Sequence, residues 1–281
     1  MKNRPIFRAI WFTTNSLLAL SFAALLYGAG WEYSTRCYLK GFADAVVPVN
    51  AAPEEKIESI LEWMRNGPRR ASAPDFSTLP TRDPQATLNY KQLLNVCGTA
   101  TNAFLNLAVS TDLQVRRLLL LTPARDTKHV VAEVLVDGRW IVVDPSFHIL
   151  FRDSHGRLLT RQDLRVPAVL SEVTRDIPRY SPDYTYENIA HLRLKRIPFA
   201  GGAIRRALEF FYPSWEEAFN WSLLVERRSF ALLTFSSALF FFLLLVRTVL
   251  AWYGDHRLGL PRVRLREHLV RAGMALLSSP R

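Results

Sequence analysis

Residues 129–144 read HVVAEVLVDGRWIVVD. Two apolar, strand-like runs, His129–Val136 and Arg139–Val143, flank Asp137-Gly138. An Asp-Gly pair between such runs is a strong signal for a two-residue hairpin. In an antiparallel pair the start of one strand lies beside the end of the next. His129 opens the first run and Asp144 closes the second, so the turn draws an imidazole toward a carboxylate. A further strand-like run, Val115–Leu121, precedes the hairpin. A second hairpin is predicted after it, Phe147–Arg152 with Arg157–Thr160, joined through Asp153-Ser154-His155-Gly156. Upstream, Cys97, Ala100, Phe104, Leu107 and Ala108 recur at three- and four-residue spacing, which predicts a helix starting near Cys97. Helix first and antiparallel strands after it make the fold class α+β.

A cysteine at a helix N-terminus is chemically distinctive, because the helix dipole and the free N–H groups there favour the thiolate. With His129 as base and Asp144 to orient it, Cys97 completes a nucleophile–base–carboxylate set once the helix packs on the sheet. Each residue also has an ordinary reading. Cys97 could be a buried apolar side chain or could pair with Cys37; His129 could be a satisfied structural histidine; Asp144-Pro145 could simply be a turn. Other chemistries lack their motifs. The chain has no G-x-x-x-x-G-K-[ST], H-E-x-x-H, C-x-x-C or G-x-S-x-G, and its six histidines do not cluster at metal-ligand spacing, so neither metal nor cofactor is expected.

Charge places this domain. The 281 residues carry a net +11, of which residues 1–8 contribute +3 and residues 247–281 contribute +5, leaving +3 for the long stretch between. A nucleic-acid binder would carry the excess on its folded domain, so no nucleic-acid partner is expected. Here the basic ends flank two uncharged apolar runs, Ala9–Trp31 and Ser229–Val246, each long enough to cross a hydrocarbon core of roughly 30 Å. Trp11, Tyr27, Trp31, Trp252 and Tyr253 stand near their ends as interfacial anchors. Cleavage after the first run, as a signal peptide, is the rival reading, with Gly28 and Gly30 at suitable spacing. The positive-inside rule puts both ends in the cytoplasm. The organisation expected is residues 1–8 cytoplasmic, 9–31 a transmembrane helix, 32–228 an extracytoplasmic domain with its core at about 84–165, 229–252 a second transmembrane helix and 253–281 a basic cytoplasmic tail.

Within 32–228, Pro53-Glu54-Glu55 opens a helix whose apolar face is Ile57, Ile60, Leu61 and Met64 and which ends at Asn66-Gly67-Pro68. Prolines 68, 74, 80 and 84 mark 67–84 as a long loop. Residues 161–228 are broken by Pro178, Pro182 and Pro198. Gly201-Gly202 reads as a hinge before an amphipathic stretch, Ala203–Phe211, suited either to the bilayer surface or to packing on the domain, with Trp215, Phe219 and Trp221 leading back to the membrane.

The motifs around Cys97, His129 and Asp144 resemble those of the transglutaminase-like superfamily, whose core is similar to papain-like cysteine enzymes. The resemblance covers about residues 90–150 and rests on Cys97-Gly98-Thr99-Ala100 at a helix start, Val115-Arg116 about nineteen residues on, His129 followed by Glu133-Val134, Gly138-Arg139-Trp140, and Asp144-Pro145, in order and spacing. It departs from the family pattern at Asn95, where a glycine is common, and at Val131, where an aromatic is common. The resemblance implies a Cys97–His129–Asp144 triad acting on an amide bond through a thioester. Hydrolysis is expected ahead of cross-linking, with Gln92 or Tyr90 as the second oxyanion donor. The implied setting is a bacterial-type cytoplasmic membrane with the domain in the periplasm or cell envelope. The implied partners are a protein or peptide-like amide substrate, the lipid bilayer and other membrane proteins. The alternative is a non-catalytic envelope scaffold, or an accessory of a polysaccharide system, that uses the same fold for partner binding.

Overall fold

The structure, a computed structural model, describes residues 4–67, 83–192, 206, 208–212, 224 and 227–258. The chain divides into two compact units, residues 29–232 and residues 1–28 with 233–281.

The larger unit is α+β. Its sheet is antiparallel throughout, built from β1 (Val115–Leu121), β2 (Thr127–Val136), β3 (Arg139–Asp144), β4 (Ile149–Leu150) and β5 (Ile189–Ala190) in the order β4-β3-β2-β1-β5. Asp137 and Gly138 both have positive φ, 49° and 75°, as the tight primed turn between β2 and β3 requires. That turn fixes the register from Val136↔Arg139 to Ala132↔Val143. Strands with both faces covered should read as nearly continuous apolar runs, and these do. Val115, Ala132, Val134, Ile141 and Val143 face one core, shared with helices α2 (Pro53–Asn66) and α5 (Cys97–Ser110) and with Leu39 and Ala43 of α1 (Arg4–Val46). Leu118, Leu120, Val131 and Val142 face another, closed by Phe151, Leu159, Leu164 and Tyr186 and by Val169, Leu170 and Val173 of α7 (Pro167–Thr174). Short helices α3 (Pro84–Asn89) and α4 (Lys91–Leu94) lead into α5, and α6 (Arg161–Leu164) precedes α7.

Three sequence expectations change. The helix from Cys97 is not amphipathic: Thr99 through Ala108 are all buried, because α5 is wedged between the sheet and other helices and has no solvent face over that stretch. The second hairpin is reduced to β4 and the isolated bridges Arg152↔Leu158 and Ile141↔Thr160. The first apolar segment does not end as a helix at Trp31; α1 continues to Val46. Glu32, Arg36, Lys40 and Asp44 interrupt the hydropathy but not the helix. Glu32 pairs with Arg36 at 2.7 Å and Lys40 with Asp44 at 2.8 Å, both i,i+4 arrangements that suit a helix surface. By contrast α2 follows its pattern, with Pro53 in the first turn, Glu54 and Glu55 at the positive end of the dipole, and Ile57, Ile60, Leu61 and Met64 buried.

In the smaller unit, α1 and α8 (Arg228–Arg257) contribute a helix pair. Phe22 meets Phe240 with ring centroids 5.6 Å apart, Arg247 Nε donates to Asn15 Oδ1 at 2.9 Å, and Phe7 meets Tyr253 at 6.3 Å. Positions fall along one helix as they rise along the other, so the pair is antiparallel. Both helices are long and apolar enough to cross a membrane, and most of that apolar surface faces outward. The expected loop over 68–82, the Gly201-Gly202 hinge, the aromatics Trp215, Phe219 and Trp221 and the basic tail from 259 onward lie outside the described residues.

Candidate active site

Cys97 is the first residue of α5. Val96 before it is extended and makes no side-chain cap, so the first N–H groups of the helix have no side chain of that residue as acceptor. Cys97 is half-buried and Cys37 exposed, and the two are free thiols. His129 and the backbone N–H groups at Gly98 and Val130 act on the Cys97 sulfur. Burial opposes the thiolate, but the imidazole and these N–H groups outweigh it and hold the thiol below its ordinary range.

His129 and Asp144 meet as the hairpin register dictates. Extending the register one step beyond Ala132↔Val143 sets Val131 opposite Asp144. His129 is then the next residue on that face, a diagonal neighbour. His129 Nε2 lies 2.7 Å from Asp144 Oδ2, with both side chains sealed from solvent. Asp144 Oδ1 accepts from Ser146 Oγ at 2.8 Å, Ser146 N at 3.2 Å and Phe147 N at 3.3 Å, so both carboxylate oxygens are engaged and the side chain cannot turn away. A carboxylate accepting from Nε2–H leaves Nδ1 as the nitrogen that exchanges a proton with the sulfur. Burial works against the charged imidazolium, yet Asp144 and Cys97 together push His129 up to about 9. The electrostatics thus shift the pair toward thiolate and imidazolium.

Other residues of the motif brace the sheet. Arg116 and Glu133 stand directly across β1 and β2 and pair at 2.6 Å, buried, while the Arg116 guanidinium lies 4.0 Å over the Trp140 ring. These three residues support the strand that carries His129. Gly98 has a local reason too: a Cβ there would stand 3.3 Å from the Arg117 guanidinium. Gln92 and Tyr90, the two oxyanion candidates, are both half-buried just upstream of α5. The groove between α2 and β4, lined by Glu55, Glu58, Arg65, His148 and Arg152, includes none of Cys97, His129 or Asp144.

Residues beyond the predicted set also reach the site. Tyr184 stacks on the His129 ring with centroids 4.2 Å apart and planes 7° from parallel. Phe147 and Tyr180 meet the same ring edge-on at 5.8 and 6.3 Å. Burial holds the Tyr180 and Tyr186 phenols well above their ordinary range, so both stay neutral, their hydroxyls 3.4 Å apart. The one sequence signal for this wall is the density of tyrosines in Tyr180-Ser181-Pro182-Asp183-Tyr184-Thr185-Tyr186, a stretch without helical or strand periodicity.

No protein-family model matches this chain, and comparison with curated proteins and with solved structures gave no match.

Proposed function

We propose that this protein is a membrane-anchored cysteine acyl-transfer enzyme of the transglutaminase-like kind, hydrolysing amide bonds outside the cytoplasm. One observation carries the reading: a cysteine at a helix start, a histidine at a strand start and an aspartate at the next strand's end converge, with His129 bonded to Asp144 at 2.7 Å and acting on the Cys97 sulfur. Cys97 attacks the amide carbonyl carbon as thiolate. His129 gives its proton to the departing amine nitrogen as the C–N bond breaks, leaving a thioester. Water then attacks the thioester carbonyl, His129 takes the proton from that water, and the C–S bond breaks, returning Cys97 to the thiolate and releasing the acid product. Asp144 holds the imidazole tautomer and its orientation throughout. An amine in place of water would give cross-linking by the same steps.

The membrane arrangement rests on two independent supports. The basic ends favour a cytoplasmic location for both termini by the positive-inside rule. The antiparallel contacts of α1 and α8 are those of two spans whose outer ends share a side. The Cys97 domain then faces the envelope, where a protein or peptide-like amide is the substrate class. Covalent capture by a peptide-like thiol-reactive probe, compared between the native protein and Cys97→Ala, tests the chemistry: capture lost only in the variant supports it, and equal capture in both removes it. Reporter fusions after Arg8 and at Gly156 test the topology, and a cytoplasmic signal at Gly156 contradicts it.

A further inference from the structure

The imidazole of His129 has two edges and two faces. Its edges are held by Asp144 and Cys97. Hydrogen bonds along one line leave rotation about that line open, and only packing on a face can stop it. Tyr184 supplies that face, centroids 4.2 Å apart and planes 7° from parallel. It does so from a segment with no helix or strand of its own, pinned at two places. Lys128, the residue before His129, pairs with Asp183, the residue before Tyr184, at 3.1 Å. A few residues on, Leu121 N donates to Asn188 O at 2.8 Å and β5 pairs with β1. The charge-bearing and titratable groups around the ring are Cys97 from α5, Asp144 from β3, Tyr180 and Tyr184 from this segment, and the adjoining Lys128–Asp183 pair.

We propose that Tyr184 is a positioning residue: its ring clamps the His129 imidazole in the plane shared with Cys97 and Asp144, and its π-face stabilises the imidazolium that keeps Cys97 a thiolate. An aromatic face attracts a cation laid against it, and more strongly where water is excluded. The stack therefore acts on the protonated ring more than on the neutral one. A side chain present only for bulk could restrain the imidazole but would not favour its charged form. The inference rests on the thiolate–imidazolium pair of the proposed function.

The test is the pH dependence of Cys97 alkylation by iodoacetamide in the full-length protein in detergent, with Cys37→Ser so that a single thiol reports. Taking the stacking at the strength of a partly desolvated cation–π contact, Tyr184→Leu should raise the midpoint of the alkylation curve by about one pH unit, and Tyr184→Phe, which keeps the π-face, should leave it in place. Tyr184→Met fills the same gap without a π-face and carries the test if the leucine variant does not fold. A depressed midpoint in the parent that stays unmoved in folded Tyr184→Leu or Tyr184→Met overturns the role of Tyr184 and leaves the proposed function standing. A shift in Tyr184→Phe as large as in Tyr184→Leu assigns the effect to the hydroxyl and also overturns it. A parent midpoint at the ordinary thiol value, near 8.5, overturns the ion pair itself and with it both readings.

Discussion

Helix α5 carries two polar clusters, and they are built to opposite plans. At its start, Cys97, His129 and Asp144 form a line that ends in a half-exposed sulfur. Farther along the helix, Asn102 and Asn106 enter a cluster with Glu32, Arg227 and Ser229 in which every member is at most 2% exposed. Arg227 donates to Asn106 Oδ1 from Nε at 3.0 Å and Nη2 at 2.9 Å, and to Glu32 Oε1 from Nη1 at 2.8 Å. Glu32 Oε2 accepts from Ser229 at 2.7 Å, and Asn106 donates to Asn102. Charge meets charge, both Glu32 oxygens are used, and solvent is excluded, which is the arrangement that makes a buried ion pair tolerable. The first cluster stops one group short of closure. Its outermost group is the half-buried thiol of Cys97, with His129 held behind it by Asp144. Saturation marks the cluster that ties α1, α5 and the start of α8 together; a half-buried thiol at the end of the line marks the one proposed to perform chemistry.

Substitutions should separate the two. Cys97→Ala removes the nucleophile, so amide hydrolysis and probe capture should vanish while circular dichroism and thermal unfolding stay native, since little buried apolar area is lost. His129→Ala should lose nearly as much, because the thiolate's partner and the acid for the leaving amine go together. Arg227→Ala should do the reverse. It removes the buried guanidinium from Glu32 and Asn106, leaving Glu32 with Arg36 and Ser229, and should cost about 1–3 kcal/mol of stability in denaturant titrations, while the fraction still folded should retain normal Cys97 reactivity. Any large loss of reactivity without unfolding in that variant would couple the clusters and break the contrast.

Asp144→Asn should fall between these extremes. The corresponding change in a serine triad costs about 10⁴ in turnover through the wrong tautomer, but a helix-start cysteine depends less on its base, so a loss on the order of 10–10³ is expected in steady-state kinetics. The smallest effect is a separation of two pH profiles. Hydrolysis should fall as pH rises through about 9, where His129 gives up the proton the leaving amine needs, whereas alkylation, which needs only the thiolate, should not. These midpoints belong to the coupled pair. Parallel profiles would contradict the acid role of His129.

The sequence showed the chemistry line more readily than its surroundings, for physical reasons. The Asp-Gly turn is a local signal, and period-two pairing carries it to His129 and Asp144. The start of α5 is equally local. Tyr184 is not: it lies 55 residues beyond His129 in a stretch whose shape comes from β5 pairing and the Lys128–Asp183 ion pair, neither visible as periodicity. Glu32 and Arg227 are 195 residues apart and meet only once α1 and α8 have formed. Glu32 misled further, since a charge after an apolar run read as the end of a helix that in fact continues for another fourteen residues to Val46. Arg116, Glu133 and Trp140 were legible as motif letters, but only their geometry shows a brace beneath the site.

The two cysteines allow the central claim to be tested inside one molecule. Cys37 is exposed on α1 and Cys97 is half-buried, so by access alone Cys37 should react first. The account predicts the opposite at about pH 6, where an ordinary thiol is almost wholly protonated and only a thiol paired with an imidazolium is a nucleophile. Brief alkylation of the native protein at that pH, followed by peptide mass spectrometry, should find the label on Cys97, and in His129→Ala the preference should disappear. Label on Cys37 first, or an unchanged preference for Cys97 without His129, would contradict the thiolate–imidazolium pair on which the proposed activity depends.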